Sequence, residues 1–199
     1  MLVTKKAPDF TAAAVLANNQ IVNDFNLYKN IGEKGAVVFF YPMDFTFVCP
    51  SEIIAFDKRY DEFKSRGIEV IAVSCDNQFS HFAWKETPVN KGGIGKVRFP
   101  IVADMTKSIA RGFDVLLEDA GVALRGSFLL DKDGTVRHAV INDLPLGRNI
   151  DEMIRMVDTM LFTNEHGEVC PAGWHKGDAG MKPSTEGVAD YLSHNESKL

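Results

Sequence analysis

Cysteine is scarce in this sequence, with three in 199 residues, and basic residues are fewer than acidic ones. Three cysteines cannot form the multiple-disulfide framework of a small secreted protein, and in a reducing compartment a cysteine in a special setting is more often catalytic, redox-active or buried. The formal net charge of −5 argues against nucleic acid as the main partner, because phosphate binding needs a basic surface. We therefore expect a cytoplasmic protein that does not bind nucleic acid.

Long apolar runs are also missing. No run approaches the roughly 18 consecutive apolar residues that a transmembrane helix needs. The apolar stretch 12–17 follows Lys5 and Lys6, as in a signal peptide, but Pro8 and Asp9 interrupt that pattern and the stretch is short. We expect no membrane partner and no secretion signal.

The apolar residues that are present follow the pattern of a mixed α/β protein. The run 36–41 (AVVFFY) ends at Pro42, apolar residues recur near helical spacing over 49–66, and 69–74 (EVIAVS) is a second run. This order predicts a buried strand, a helix and a second strand parallel to the first.

Two later segments extend this prediction. Residues 125–130 and 135–141 flank an Asp-Gly turn signal, which predicts an antiparallel hairpin. Apolar residues on one side of 149–162 predict an amphipathic helix. The chain beyond this helix is richer in Gly, Pro, Ser and charge, which indicates a docked arm.

Cys49 is the cysteine in the most unusual setting. It precedes Pro50 at the predicted start of the first long helix, and because proline is favoured at the first helical position, Cys49 is predicted to be the N-cap. Free backbone N–H groups and the positive helix end would stabilise a thiolate there. Thr46, one turn earlier, could donate a hydrogen bond to the sulfur. Glu52 would oppose ionisation, so the arrangement predicts an arginine shared between its carboxylate and the sulfur.

The residues alone leave several functions open. Position 52 is not cysteine, so a C-x-x-C dithiol site is absent and the thiol acts alone or with a distant cysteine. In a cysteine hydrolase, folding would supply His81 or His138 as a base for Cys49. A large oligomer that binds unfolded clients is a further class. Cys75 ends the second predicted strand, and we expect it to pack in the core.

Two cysteine motifs carry a family resemblance. Residues 41–52 (YPMDFTFVCPSE) closely resemble the active-site loop of peroxiredoxins, whose pattern is P-x-x-x-T/S-x-x-C. Residues 168–174 (EVCPAGW) resemble the second-cysteine motif of the typical two-cysteine class, the alkyl hydroperoxide reductase C and thioredoxin peroxidase group. Residues 124–126 (LRG) resemble its catalytic-arginine strand. Matches run from about Ala7 to the C-terminus.

The resemblance implies a fold and a set of roles. The fold is α/β and thioredoxin-like, with a central mixed sheet flanked by helices. Residues 1–162 would form the peroxidase domain, and 163–199 a C-terminal arm that carries the resolving cysteine. The implied site consists of the peroxidatic nucleophile Cys49, the resolving Cys170, the peroxide-binding Thr46, Arg125 for thiolate and leaving-group stabilisation, the shielding Pro42, and the network members Glu52 and Arg148.

The resemblance also implies a catalytic cycle and its partners. The enzyme would reduce hydrogen peroxide and alkyl hydroperoxides in antioxidant defence and redox homeostasis, with no cofactor and no metal. A sulfenic acid at Cys49 would condense with Cys170 of the other subunit in a homodimer, and five dimers would form a decamer. Thioredoxin or a flavoprotein disulfide reductase would reduce the disulfide. The sequence itself leaves open whether Cys170 reaches its own Cys49 or a neighbour's.

Overall fold

A computed structural model describes residues 1–198 of the chain. It divides into two units, Met1–Ile150 and Asp151–Leu199. The predicted boundary after residue 162, between a peroxidase domain and a C-terminal arm with the resolving cysteine, stays a prediction.

The first unit holds all nine strands found in the described residues, and five α-helices. The strands are β1 (Thr11–Val15), β2 (Ile21–Asn26), β3 (Gly35–Phe40), β4 (Ile68–Ser74), β5 (Ile101–Ala103), β6 (Leu116–Leu117), β7 (Val122–Ala123), β8 (Arg125–Leu130) and β9 (Val136–Asn142). The helices are α1 (Leu27–Ile31), α2 (Cys49–Lys58), α3 (Tyr60–Ser65), α4 (Gln78–Glu86) and α5 (Ser108–Gly112).

Seven of these strands form one mixed sheet in the order β2-β1-β5-β4-β3-β8-β9, and β6 pairs separately with β7. Strand β4 runs parallel to both β3 and β5, whereas the other pairs in the sheet are antiparallel. The predicted parallel pair β3–β4 and the predicted hairpin β8–β9 are therefore confirmed, as is the α/β fold class.

Strand β3 is buried on both faces, which explains its uninterrupted apolar sequence. Phe40 packs with Phe113, which follows α5, with ring centroids 5.1 Å apart. Phe39 points to the opposite face and stacks on Phe56 of α2 at 4.1 Å. Helical segments therefore pack on both faces of β3. This packing fixes the position of the C-terminal end of the strand in the core.

The helix predicted over 49–66 is interrupted. Helix α2 ends at Lys58 and α3 begins at Tyr60, because Arg59 leaves the helical conformation (φ −97°, ψ 4°). The prediction of one continuous helix is wrong at this residue. Buried Phe56 and Phe63 lie on either side of the break, with ring centroids 5.9 Å apart. The apolar spacing therefore continues across Arg59, and the sequence pattern does not indicate that the helix is interrupted there.

The second unit contains all but the first residue of the long helix α6 (Ile150–His166), which runs one turn beyond the predicted 149–162, and it contains α7 (Thr185–Asn195). Between them Val169 and Met181 pair as an isolated antiparallel bridge. Among the described residues, no helix is both long enough and apolar enough to span a bilayer.

Candidate active site

The sheet brings two distant segments to one place. Strand β3 ends at Phe40 and leads through a loop into α2, which begins at Cys49. The antiparallel register of β3 and β8 pairs Phe39 with Ser127. Two residues before Ser127, Arg125 therefore lies beside the end of β3, next to the loop that carries Cys49.

Cys49 is fully buried, and its sulfur faces two side-chain donors. Thr46 Oγ1 lies 3.0 Å from Cys49 Sγ and Arg125 Nη1 lies 3.4 Å from it. The N-cap of α2 is Val48, so Cys49 is the first helical residue and its prediction as N-cap is wrong by one position. The first-turn N–H groups of Ser51 and Glu52 donate back to the Val48 carbonyl. Hydrogen bonds to the sulfur thus come from two side chains, Thr46 and Arg125, in line with the prediction of a Thr46 donor and a shared arginine.

Thr46 occupies a position where one proton has two acceptors. Its Oγ1 is 2.7 Å from the Met43 carbonyl oxygen and 3.0 Å from Cys49 Sγ. A hydroxyl has one proton to donate, so Thr46 donates either to the carbonyl or to the sulfur. An anionic sulfur, as the stronger acceptor, would draw this proton towards it.

Arg125 is the predicted arginine shared between the sulfur and a carboxylate. Its Nη1 donates to Glu52 Oε2 at 2.7 Å, and its Nε donates to the Leu144 carbonyl at 2.6 Å. The side chains of Arg125 and Glu52 are only 4% and 2% exposed. Because both ends of the guanidinium are fixed, the cation is held beside Cys49 before any substrate arrives.

Arg148 binds the same carboxylate through several hydrogen bonds. Its Nε and Nη2 donate to the two oxygens of Glu52 at 2.8 and 3.0 Å, and its backbone N–H donates to Oε1 at 2.8 Å. Its Nη1 donates to the Gly126 carbonyl and to Ser127 Oγ. The guanidinium also lies over the Phe39 ring at 5.3 Å. Arg148 therefore fixes Glu52, and Glu52 in turn fixes Arg125.

The cluster beside Cys49 contains one buried carboxylate and two guanidinium groups. Burial by itself would raise the pKa of Glu52, but hydrogen bonds and charge from Arg148 and the charge of Arg125 outweigh it and leave the pKa below its ordinary value. Glu52 is therefore ionised at neutral pH. Two guanidinium cations face this one carboxylate, which leaves one excess positive charge beside Cys49.

Glu52 should contribute to stability in a pH-dependent way. Because its pKa is lower in the folded state, its contribution is present above the unfolded pKa of about 4.3 and is lost as the pH falls through the folded pKa. Glu52→Gln should lower the free energy of unfolding by about 3–5 kcal/mol at pH 7, and this loss should shrink as the pH falls from the unfolded pKa through the folded pKa of Glu52. Urea unfolding at several pH values measures this difference. Exposed Glu33 supplies the control Glu33→Gln, and a pH-independent loss for Glu52→Gln would contradict the assignment.

The loop before Cys49 is anchored by a buried polar network that the sequence did not reveal. Asp44 Oδ1 accepts from Tyr41 Oη at 2.8 Å, and Asp44 Oδ2 lies 2.8 Å from His81 Nδ1. The Asp44 backbone N–H donates to Asp76 Oδ2 at 2.9 Å. Burial, and then the charge of Asp44, raises the pKa of Tyr41 well above its ordinary value, so the phenol stays a donor. The network holds the next residue, Phe45, in a left-handed conformation (φ 53°).

The histidines considered as hydrolase bases are placed elsewhere. His81 Nδ1 is engaged with Asp44, and its buried Nε2 has no hydrogen-bond partner. His138 of β9 pairs with Leu129 of β8, whereas Arg125 of β8 pairs with Asn142 of β9. His138 and Asn142 are four residues apart, which is about 13 Å along a strand. Neither histidine position supports a nucleophile–base pair with Cys49.

The remaining predicted residues divide between the two units. Pro42 is buried in the loop between β3 and α2. Cys170 is half-buried in the second unit, and its Sγ lies 3.8 Å from both the Thr159 carbonyl oxygen and Thr163 Oγ1 of α6. Cys75 is half-buried against the apolar core, as predicted. Burial, and then the charge of Asp104, raises its pKa to about 11, so it remains a protonated thiol at neutral pH.

All three cysteines are free thiols. Within the described portion of the chain, no group of three or more His, Cys, Asp or Glu side chains is arranged to hold a metal ion.

Two family models match the chain. The AhpC/TSA family model covers residues 3–139, and the model for the C-terminal domain of 1-Cys peroxiredoxin covers residues 160–194. These two matches include the segments that carry Cys49, Arg125 and Cys170.

Individual relatives are similar over nearly the whole chain. An alkyl hydroperoxide reductase C of Helicobacter pylori is 65% identical over 199 residues, with 100% of both chains covered. Peroxiredoxin-2 of Mus musculus is 47% identical, with 97% of this chain and 96% of that protein covered. The crystal structure of a reduced 2-Cys peroxiredoxin from Plasmodium vivax is 47% identical and superposes with a TM-score of 0.94, covering 97% of this chain and 99% of that one. The chain therefore belongs to the AhpC/TSA family of peroxiredoxins, which are thiol peroxidases.

Proposed function

We propose that Cys49 is the peroxidatic nucleophile and that this site reduces hydrogen peroxide and alkyl hydroperoxides. One observation carries the proposal: Thr46 and Arg125 converge on the buried Cys49 sulfur at 3.0 and 3.4 Å, and Glu52 holds Arg125 in place. A thiolate, not a thiol, is the effective nucleophile. The excess positive charge of the arginine cluster supports that ionised form.

The peroxide step follows from the same geometry. The Cys49 thiolate attacks one peroxide oxygen, an S–O bond forms, and the O–O bond breaks as its electron pair passes to the leaving oxygen. This oxygen develops negative charge, which the adjacent Arg125 guanidinium is positioned to stabilise. Thr46 is the donor to the bound peroxide, and buried Pro42 limits access of water to the sulfur. After proton transfer the products are a sulfenic acid at Cys49 and water or an alcohol.

The second half of the cycle uses Cys170. Its thiol condenses with the sulfenic acid across a homodimer to give a Cys49–Cys170 disulfide and water. Thioredoxin or a flavoprotein disulfide reductase then restores both thiols. We assign residues 1–162 to the peroxidase domain and 163–199 to the arm that carries Cys170. The low cysteine content supports a cytoplasmic enzyme of antioxidant defence.

Exposed aromatic side chains support assembly beyond one chain. Phe47 is 96% exposed, and Phe45 and Phe79 are more than half exposed. Phe45 and Phe47 lie in the loop before Cys49, and Phe79 lies in α4. Aromatic side chains are enriched in protein interfaces, so we propose a homodimer that assembles into a decamer of five dimers, in which these side chains are covered.

Intersubunit pairing of the two cysteines can be tested on non-reducing gels. Protein treated with one equivalent of hydrogen peroxide should migrate as a covalent dimer, and peptide mapping should join Cys49 to Cys170. Cys170→Ser should give no covalent dimer. An oxidised band at monomer size, with the same two cysteines joined, would contradict the intersubunit version.

A further inference from the structure

Arg155 connects α6 to the turn that follows Cys170. Its Nη1 donates to the Trp174 carbonyl oxygen at 2.8 Å. Its Nε and Nη2 each donate at 2.7 Å to one carboxylate oxygen of Glu152 on the preceding turn of α6. This two-point pair fixes the plane of the guanidinium, so the third nitrogen is aimed at the Trp174 carbonyl. The hydrogen bonds to Glu152 also raise the pKa of Arg155, so it donates at every physiological pH.

The segment before this turn also contacts α6, through Cys170. Cys170 Sγ lies 3.8 Å from the Thr159 carbonyl oxygen and from Thr163 Oγ1. Arg155, Thr159 and Thr163 follow one another at intervals of four residues, which places them along one face of the helix. Both ends of the segment 170–174 therefore rest on this one face.

Trp174 secures the far end of the segment. It is only 3% exposed, and its ring packs on Phe162 of α6 with centroids 4.9 Å apart. Its Nε1 donates to the Asp178 carbonyl at 3.1 Å. Of these attachments the Arg155 hydrogen bond is the one made by a charged donor, and such bonds are the stronger ones.

Disulfide formation requires that Cys170 Sγ be released from these contacts, because the two sulfurs must come to bonding distance with a defined geometry. We propose that Arg155 is a positioning residue that latches the segment 170–174 to α6, and so sets how fast Cys170 becomes available to the Cys49 sulfenic acid. This inference rests on the proposed roles of Cys49 and Cys170.

The latch decides between two fates of the sulfenic acid. In resolution the Cys170 sulfur bonds to the Cys49 sulfur, the S–O bond breaks, and the hydroxyl leaves with the thiol proton as water. A second hydroperoxide can instead transfer an oxygen to the Cys49 sulfur, giving a sulfinic acid and water or an alcohol. A tighter latch leaves more time for the second reaction.

Stopped-flow tryptophan fluorescence of the full-length reduced protein with hydrogen peroxide separates these steps. The phase whose rate rises with hydrogen peroxide concentration is assigned to oxidation of Cys49, and the later phase, whose rate does not depend on that concentration, is assigned to disulfide formation. Arg155→Met keeps the length of the side chain but removes its donors. It should accelerate the late phase about tenfold, the effect of one hydrogen bond from a charged group, and leave the early phase unchanged. Arg155→Lys, which keeps one charged donor, should give an intermediate rate.

Two further readouts distinguish a latch from a general loss of structure. Amide exchange should rise in residues 168–175 of Arg155→Met, and the sulfinic acid fraction at high peroxide should fall by intact mass. Lys176→Met, which removes an exposed cation two residues after Trp174, should match the wild type. If Arg155→Met folds poorly, Glu152→Gln loosens the same guanidinium and should accelerate the late phase to a smaller extent.

The outcomes separate this inference from the proposed function. If the wild type forms a Cys49–Cys170 disulfide and the late phase of Arg155→Met is unchanged or slower, the latch is wrong and the proposed cycle stands. If the wild type forms no such disulfide, the proposed role of Cys170 fails and the latch fails with it.

Discussion

Replacement of Cys49 by serine should reduce peroxide consumption to the rate measured without enzyme. A serine hydroxyl stays protonated at neutral pH and lacks the nucleophilicity of a thiolate towards oxygen. The Thr46 and Arg125 donors would remain in place, but no anion would be present for them to orient. Loss of hydrogen peroxide in the presence of dithiothreitol, followed by a colorimetric assay, measures the effect.

Cys75 offers a matched control for this experiment. It is half-buried, and its pKa is raised to about 11, so its thiolate is scarce at neutral pH. Cys75→Ser should therefore retain the wild-type rate. Undiminished turnover in Cys49→Ser, or loss of turnover in Cys75→Ser alone, would contradict Cys49 as the peroxidatic residue.

Arg125→Ala should slow the peroxide step by about 10²–10³-fold, the usual effect of removing one group that stabilises a developing oxyanion. The variant removes the cation that lies 3.4 Å from the sulfur and 2.7 Å from Glu52. Reduction of the disulfide involves no peroxide oxygen, so this step should change much less. Rapid-mixing oxidation of reduced protein and reduction of preoxidised protein measure the two steps separately.

An exposed arginine provides the comparison. Arg111 pairs with Glu118 at the surface, and Arg111→Ala should leave both rates unchanged. Equal slowing of both steps in Arg125→Ala would remove Arg125 from its proposed role and indicate a general structural defect.

Much of the core was predictable because its sequence signals are local. The run that forms β3 is uniformly apolar since both faces of the strand are buried, and the Asp-Gly turn between β8 and β9 fixes the hairpin. The arginine near Glu52 is also predictable from local charge, because a carboxylate close to a thiolate opposes its ionisation unless a cation neutralises it. The structure places Arg125 and Arg148 at that carboxylate.

Features that depend on distant pairing were not predictable. Strands β1 and β2 are short and only partly buried, so their sequences lack the periodic pattern that would predict a strand. The Asp44–His81 contact joins residues 37 positions apart, and neither residue alone indicates the other. The exact start of α2 is a local feature that the sequence also leaves open. Val48 already adopts helical angles, so α2 begins at Cys49 and its N-cap lies one residue earlier than predicted. Proline is compatible with either of the first two helical positions, and Pro50 therefore does not determine which residue is the N-cap.

Peroxide is expected to oxidise the Cys49 sulfur before any other group. The most direct measurement is trapping with dimedone, which reacts with sulfenic acids, in Cys170→Ser treated with one equivalent of hydrogen peroxide and analysed by peptide mass spectrometry. We expect a dimedone adduct on Cys49 and none on Cys75. An adduct confined to Cys75, or peroxide consumption with Cys49 left as an unmodified thiol, would contradict it.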